Sequence, residues 1–109
     1  MNFDVIATVP FERKLKRLAK KYPSIRDDLF AIAEKLAQNP TLGIPLGKNC
    51  YKIRMAVTNK TKGKSGGARL ITYVRVLKNT VYLMDIYDKS ELATISTMEL
   101  QMIIDTLGE

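Results

Sequence analysis

No histidine occurs anywhere in this chain, and there is one cysteine, Cys50. Without imidazole the chain lacks the commonest general base, and with a single thiol it effectively cannot build a zinc site. Cys50 has no partner for an intramolecular disulfide and no histidine to activate it, so it reads as a small strand residue in a reducing compartment. Long apolar runs are missing, which excludes a membrane span. The opening MNFDVIATVPF has no basic segment followed by an apolar core, so no signal peptide is expected. The sharpest absence is of one sign of charge. Residues 35–84 contain no Asp or Glu, yet they carry ten cations: Lys35, Lys48, Lys52, Arg54, Lys60, Lys62, Lys64, Arg69, Arg75 and Lys78.

The chain holds 18 Lys and Arg against 11 Asp and Glu, a net +7. All the acids lie outside that stretch and outnumber the cations there, so the excess positive charge belongs to the middle of the chain. Uncompensated positive charge repels itself, and an anionic partner is the usual compensation. A nucleic acid, RNA or a ribonucleoprotein above all, is the partner favoured. The 109 residues, 46% of them hydrophobic, suit one domain with an ordinary core over residues 1–109.

Hydrophobic periodicity predicts the order β-α-α-β-β-β-α. This is an α+β fold: an antiparallel sheet, an N-terminal helical hairpin and a C-terminal helix. Residues 2–8 alternate, with Phe3, Val5 and Ala7 on one side. Pro10 fits a first helical turn, Phe11, Leu15, Leu18, Ala19 and Tyr22 form the stripe that follows, and Pro23 stops it. Ser24 and Asp27 have the spacing of a capping box for a second helix, whose stripe is Leu29, Ile32, Ala33 and Leu36. Residues 41–48 read as a loop because of Gly43, Pro45 and Gly47. Strands are expected at residues 51–57, 69–76 and 81–87. A last helix starts at Ser96, with Glu99 completing its capping box, Leu100, Ile103, Ile104 and Leu107 as its stripe and Gly108 as its stop.

A two-residue turn at Lys78-Asn79 would pair Leu77 with Thr80, Arg75 with Tyr82, Tyr73 with Met84 and Arg69 with Asp88. Arg69, Ile71, Tyr73 and Arg75 then share an outer face, and Leu70, Val74 and Val76 face the core. Lys52 and Arg54 join the outer face, which becomes an exposed basic surface. Arginine forks suit phosphate and tyrosine suits a base. The loop TNKTKGKSGG borders it, flexible and basic, with Lys60, Lys62 and Lys64 as further phosphate contacts alongside Lys48, Tyr73 and Arg75. It is not a Walker A loop, because GKSGG lacks the required spacing and no helix follows. The bland reading of this surface is a solvated sheet face; the missing acids weigh against it.

The element order, with NPTLG after the second helix and then YKIR, KGKSGGAR, ITY and YLMDIYDKSE, resembles the RelE/ParE superfamily of bacterial toxins. Within it the RelE-like and HigB-like toxins of type II toxin–antitoxin modules are the most similar. The resemblance implies a small cytoplasmic ribonuclease that enters the ribosomal A site, cuts mRNA without metal or other cofactor, and is held inactive by a cognate antitoxin. Its partners would be that antitoxin, the ribosome and mRNA, with no membrane. It implies catalytic roles for Lys52 and Arg54, for Arg69 at the start of the next strand, and for Lys89 after the last. Ser90 stands where the family has an arginine, and the chain ends TLGE where some relatives end in a catalytic His or Tyr. A tyrosine that follows the last strand in the family is missing, and Tyr87 or Tyr73 could substitute. The chemistry implied is attack of the RNA 2′-OH on the adjacent phosphate, with Arg54 and Arg69 stabilising the charge. Lys52 is a better base than either arginine. An acidic, amphipathic segment of the antitoxin would mask the positive face or a neighbouring groove. Two other functions fit the same fold: a ParE-like inhibitor of DNA gyrase, and a non-catalytic RNA- or ribosome-binding module.

Overall fold

The short connections and the alternation of patterns fold as follows in a computed structural model, which describes residues 2–60, 63–91 and 95–107, with the backbone alone at Lys64 and Ser65. Strand β1 (Asp4–Ala7) leads into helix α1 (Val9–Lys21) and then α2 (Ile25–Gln38). Strands β2 (Ile44–Gly47) and β3 (Cys50–Met55) follow. A 3-10 turn at Thr58–Lys60 and a single helical turn, α3 (Gly63–Gly66), lead to β4 (Ala68–Arg75). Strand β5 (Thr80–Asp88) and helix α4 (Thr97–Thr106) complete the described chain. Lys62 and Gly108, singled out above, lie outside the described residues, as does the side chain of Lys64. Among the described residues no helix is long and apolar enough to cross a membrane.

Local chemistry sets the helix ends. Thr8 is extended and accepts from the Phe11 N–H at 3.4 Å, while its own hydroxyl donates to the Leu83 carbonyl at 2.8 Å. One side chain thus starts α1 and fastens it to β5. Ser96 accepts from the Glu99 N–H at 3.1 Å, the N-cap half of the box expected for α4, and its hydroxyl donates to the Glu99 carboxylate at 3.2 Å. The box expected from Ser24 and Asp27 does not form. Ser24 is already helical, and its hydroxyl donates to Asp28 at 3.0 Å. Asp28 accepts from the Thr58 N–H at 2.9 Å and the Thr58 hydroxyl at 2.7 Å, and Asn59 exchanges two further bonds with Ser24. The start of the supposedly flexible loop is therefore fastened to the N-terminus of α2.

The strands form one sheet in the order β1-β5-β4-β3-β2. Two features depart from the expected antiparallel, four-stranded arrangement. Strand β1 runs parallel to β5, with Val5 opposite Val81, so the sheet is mixed. Residues 44–47, expected as loop, form an edge strand, where Pro45 is tolerated because its missing N–H need not serve two neighbours. Its hairpin turns at Lys48 and Asn49, both at positive φ.

The β4–β5 hairpin closes differently from the expected two-residue turn. Lys78 does not take positive φ; the chain makes a 3-10 turn over Val76–Lys78, and Asn79 alone is left-handed. Arg75 therefore pairs with Thr80 and Tyr73 with Tyr82, and a bulge at Met84 shifts the register to Arg69 opposite Tyr87. Val76, expected in the core, is exposed in the turn with Leu77.

Both faces of the sheet are covered. Leu70, Val74, Val81 and Ile86 pack beneath α1 and α2 with Phe11, Leu15, Ile25 and Leu36. On the other face Ile71, Met84 and Cys50 pack against Leu100 of α4, with Ile103, Ile104 and Leu107 around it. Ile71, expected on an exposed face, is buried because the apolar stripe of α4 lies over it.

Candidate functional site

Opposed residues in an antiparallel pair share a face, so the register assembles rows across three strands. One row is Arg54, Arg69 and Tyr87. The next is Lys52, Ile71 and Asp85, and the third is Cys50, Tyr73 and Tyr82. Lys52, Arg54 and Arg69 thus lie on one face. Helix α4 divides that face by packing over its middle. The row of Arg54, Arg69 and Tyr87, flanked by Lys52, stands on one side of the covered region, and Arg75 stands on the other.

Exposure differs along the row. Arg54 is exposed and Lys52 half-buried, but Arg69 is only 6% exposed, which corrects the expectation of an exposed arginine. Its Nη1 donates to the Ala68 carbonyl at 3.2 Å. It stands between Arg54 and Tyr87, in the position its register dictates. Burial pushes the Tyr87 phenol above its ordinary value; the charge of Arg69 pulls it part of the way back, and Asp85 adds to the rise. Tyr87 is therefore a neutral phenol at physiological pH, able to donate a proton. Burial likewise pushes the Cys50 thiol up, with Lys48 opposing, and its Sγ lies 3.7 Å from the Lys48 carbonyl. That is an inert strand residue rather than a nucleophile.

The other cations fall in separate places. Lys89 is exposed, one residue beyond β5, and its N–H donates to the Gly67 carbonyl at 3.0 Å. Lys48 donates to Gln101 of α4 at 2.9 Å. Tyr73 stacks on Tyr82, with ring centroids 6.2 Å apart, and the Arg75 guanidinium lies 5.6 Å from both rings. Tyr73 is engaged with protein rather than presented to a base. Lys60 turns inward: its side chain is 9% exposed and forms an ion pair with Asp88. It was expected among the phosphate contacts, and burial removes it from that surface.

Sequence reasoning missed Asp88 and Tyr22. Asp88 is 2% exposed and accepts from the Tyr22 hydroxyl at 2.9 Å and the Ser90 N–H at 3.0 Å. Its signal in the sequence was faint: it is one of the first two acids after the acid-free stretch, in a strand otherwise apolar. The other, Asp85, is also buried and meets Lys14 of α1 at 2.5 Å.

The RelE family model, that of the RelE toxin of the RelE/RelB toxin–antitoxin system, matches residues 9–106. Among solved structures, a mutant of the E. coli toxin RelE in the free state is 19% identical, with a TM-score of 0.61 over 98% of this chain and 99% of that one. The isolated E. coli RelE toxin, in its P21 form, is 20% identical, with a TM-score of 0.57 over 95% of this chain and 98% of that one. At these identities the likeness is one of fold.

Proposed function

The chain belongs to the RelE family of toxins of toxin–antitoxin systems, and from that premise we propose that it is a cytoplasmic, ribosome-dependent mRNA endonuclease that inhibits translation. The observation that carries this reading is the row of Arg54, Arg69 and Tyr87 with Lys52 beside it, where the one acid of these rows, Asp85, is buried. Arg54, the exposed member, receives the scissile phosphate. Arg69 stands behind it in a drier setting, where its charge acts on the developing phosphorane oxygens with little screening. The 2′-oxygen forms a bond to phosphorus, the bond to the 5′-oxygen breaks, and the products are a 2′,3′-cyclic phosphate and a 5′-hydroxyl. The neutral Tyr87 phenol supplies the proton to the departing 5′-oxygen. Lys52, in the adjacent row, acts as the base: its amine, in the unprotonated form, takes the proton of the 2′-hydroxyl as that oxygen bonds to phosphorus, and Lys89 adds charge at the end of β5. Much of the substrate's orientation comes from the ribosome, so free RNA is a poor substrate. The same positive surface suits the cognate antitoxin, ribosomal RNA and mRNA.

The test is primer extension on mRNA bound to programmed ribosomes, with thermal melting in parallel. Arg54→Ala lowers cleavage about a hundredfold, as loss of one transition-state contact does, and changes stability by no more than about 0.5 kcal/mol. Arg69→Ala lowers cleavage as much but also melts earlier, because a buried side chain and its hydrogen bond are lost. A wild-type chain that arrests growth with intact mRNA while blocking gyrase supercoiling overturns the proposal in favour of the gyrase-poison reading.

A further inference from the structure

Lys60 spends its charge inside the protein. It pairs with Asp88 and also donates to the Gly67 carbonyl at 3.4 Å. That carbonyl accepts in turn from the Lys89 N–H at 3.0 Å. The contacts close a ring: Asp88 carboxylate, Lys60 ammonium, Gly67 carbonyl, Lys89 amide, and back through one residue of chain to Asp88. Tyr22 and the Ser90 N–H also donate to Asp88, and Lys21 approaches it at 3.8 Å. The ring rests on a firm base, because the turn carrying Lys60 is fastened through Thr58 and Asn59 to Ser24 and Asp28 of α2.

The position of this ring relative to the candidate site is what gives it meaning. Asp88 pairs with Ala68 across the β4–β5 ladder, on the core side. One step along each strand stand Arg69 and Tyr87, on the other face; one step past Asp88 stands Lys89. A buried ion pair contributes little net stability compared with apolar residues of the same volume, so stability alone is a weak reason for one here. A directional tie between two backbone segments is a better one, since hydrogen bonds to a fixed charge define position as well as proximity.

We propose that Lys60 and Asp88 are positioning residues: their buried pair locks the backbone at Gly67 to the backbone at Lys89, and so holds Arg69, Tyr87 and Lys89 in register for the reaction, while Lys60 itself makes no contact with RNA. This rests on the nuclease reading above. It reassigns Lys60 from a phosphate contact to an internal strut, and it gives the basic loop a second task, that of bracing the end of the catalytic row.

The test uses the full chain with Lys60→Met, Asp88→Asn, the double variant and Tyr22→Phe. Cleavage of ribosome-bound mRNA is measured alongside the salt dependence of ribosome affinity, and amide hydrogen exchange is followed at Lys89 and Ser90. For Lys60→Met and Asp88→Asn, kcat falls on the order of tenfold to a hundredfold, as small misplacements of reacting groups do, with KM and the salt slope unchanged. The double variant is no slower than the worse single one, because both break the same strut. Exchange at Lys89 and Ser90 quickens in all of these. Tyr22→Phe keeps both charges and shows the same pattern in weaker form, so it and Lys60→Met decide the matter if Asp88→Asn does not fold. A salt slope shallower by about one in Lys60→Met, or losses that multiply in the double variant, marks Lys60 as an RNA contact and overturns the proposal. Unchanged exchange at Lys89 and Ser90 overturns it as well. If the wild type cuts no mRNA, the nuclease reading fails, and the exchange measurement alone decides whether the strut exists.

Discussion

Single residues here divide into those that spend their charge inside and those that present it. Asp88 belongs to the first group, and its titration has a readable consequence. Burial alone would raise its carboxyl, but the hydrogen bonds from Lys60, Ser90 and Tyr22 outweigh that and hold it well below the ordinary value of 3.8. The folded state therefore binds this proton less readily than the unfolded state. A carboxyl depressed in the fold contributes stability that is complete above its unfolded pKa and is lost as pH falls through that value towards the folded one. Denaturant unfolding followed from pH 7 down to pH 3 shows, for the wild type, a plateau down to about pH 5 and a decline below about pH 4. Asp88→Asn begins less stable at pH 7, because Lys60 is left buried without its counter-charge, and declines less steeply on acidification. Equal slopes for the two proteins contradict this account of Asp88. Arg54 belongs to the second group, exposed at the rim of its row, and Arg69 lies between the groups: its face was readable from alternation, its burial was not.

At the scale of elements, two glycines that look alike in sequence behave differently. Both Gly47 and Gly67 read as loop residues. Gly47 has φ of 89° with open space around it, so alanine there suffers only the left-handed backbone, about 1–2 kcal/mol. Gly67 admits no side chain at all, because a Cβ would stand 2.1 Å from the Met55 carbonyl oxygen. Gly67→Ala forces β3 and β4 apart where the ladder begins, a loss of about 3 kcal/mol or more, and thermal melting should drop further for it than for Gly47→Ala. In the sequence Gly67 reads only as the end of a basic loop; its close neighbour is the preceding strand, β3. The helices and β3 were legible because burial mainly on one side writes a period into the chain, whereas β4 and β5, buried on both faces, show as apolar-rich runs bounded by turn residues. The edge strand β2 was not, since all four of its residues are exposed and Pro45 and Gly47 mimic a loop. The hairpin register was not either: Asn79 alone takes positive φ, and neither a 3-10 closure nor a bulge at Met84 leaves a mark in alternation. Nor could alternation show that the stripe of α4, plain in Leu100, Ile103 and Ile104, would dock on Ile71 and divide the basic face.

For the molecule as a whole, the excess of positive charge sets how partners approach. Asp85 and Asp88, the first two acids after the acid-free stretch, are turned inward against Lys14 and Lys60, so neither offers the outer surface a carboxylate. An antitoxin that docks through charge should lose affinity as salt rises, by about tenfold or more between 50 and 500 mM, mostly through slower association. Titration calorimetry over that range checks it, and an affinity indifferent to salt points to an apolar groove instead. The mixed sheet carries a further consequence, one of timing. Strand β5 lies between β1 and β4, so the first strand made has no neighbour until residues 80–83 exist. During synthesis the helical hairpin can form early, but the sheet stays in two pieces until nearly the last fifth of the chain emerges, and Tyr87 joins Arg54 and Arg69 only then. The row of Arg54, Arg69 and Tyr87 is therefore incomplete for most of the time that the chain is being made.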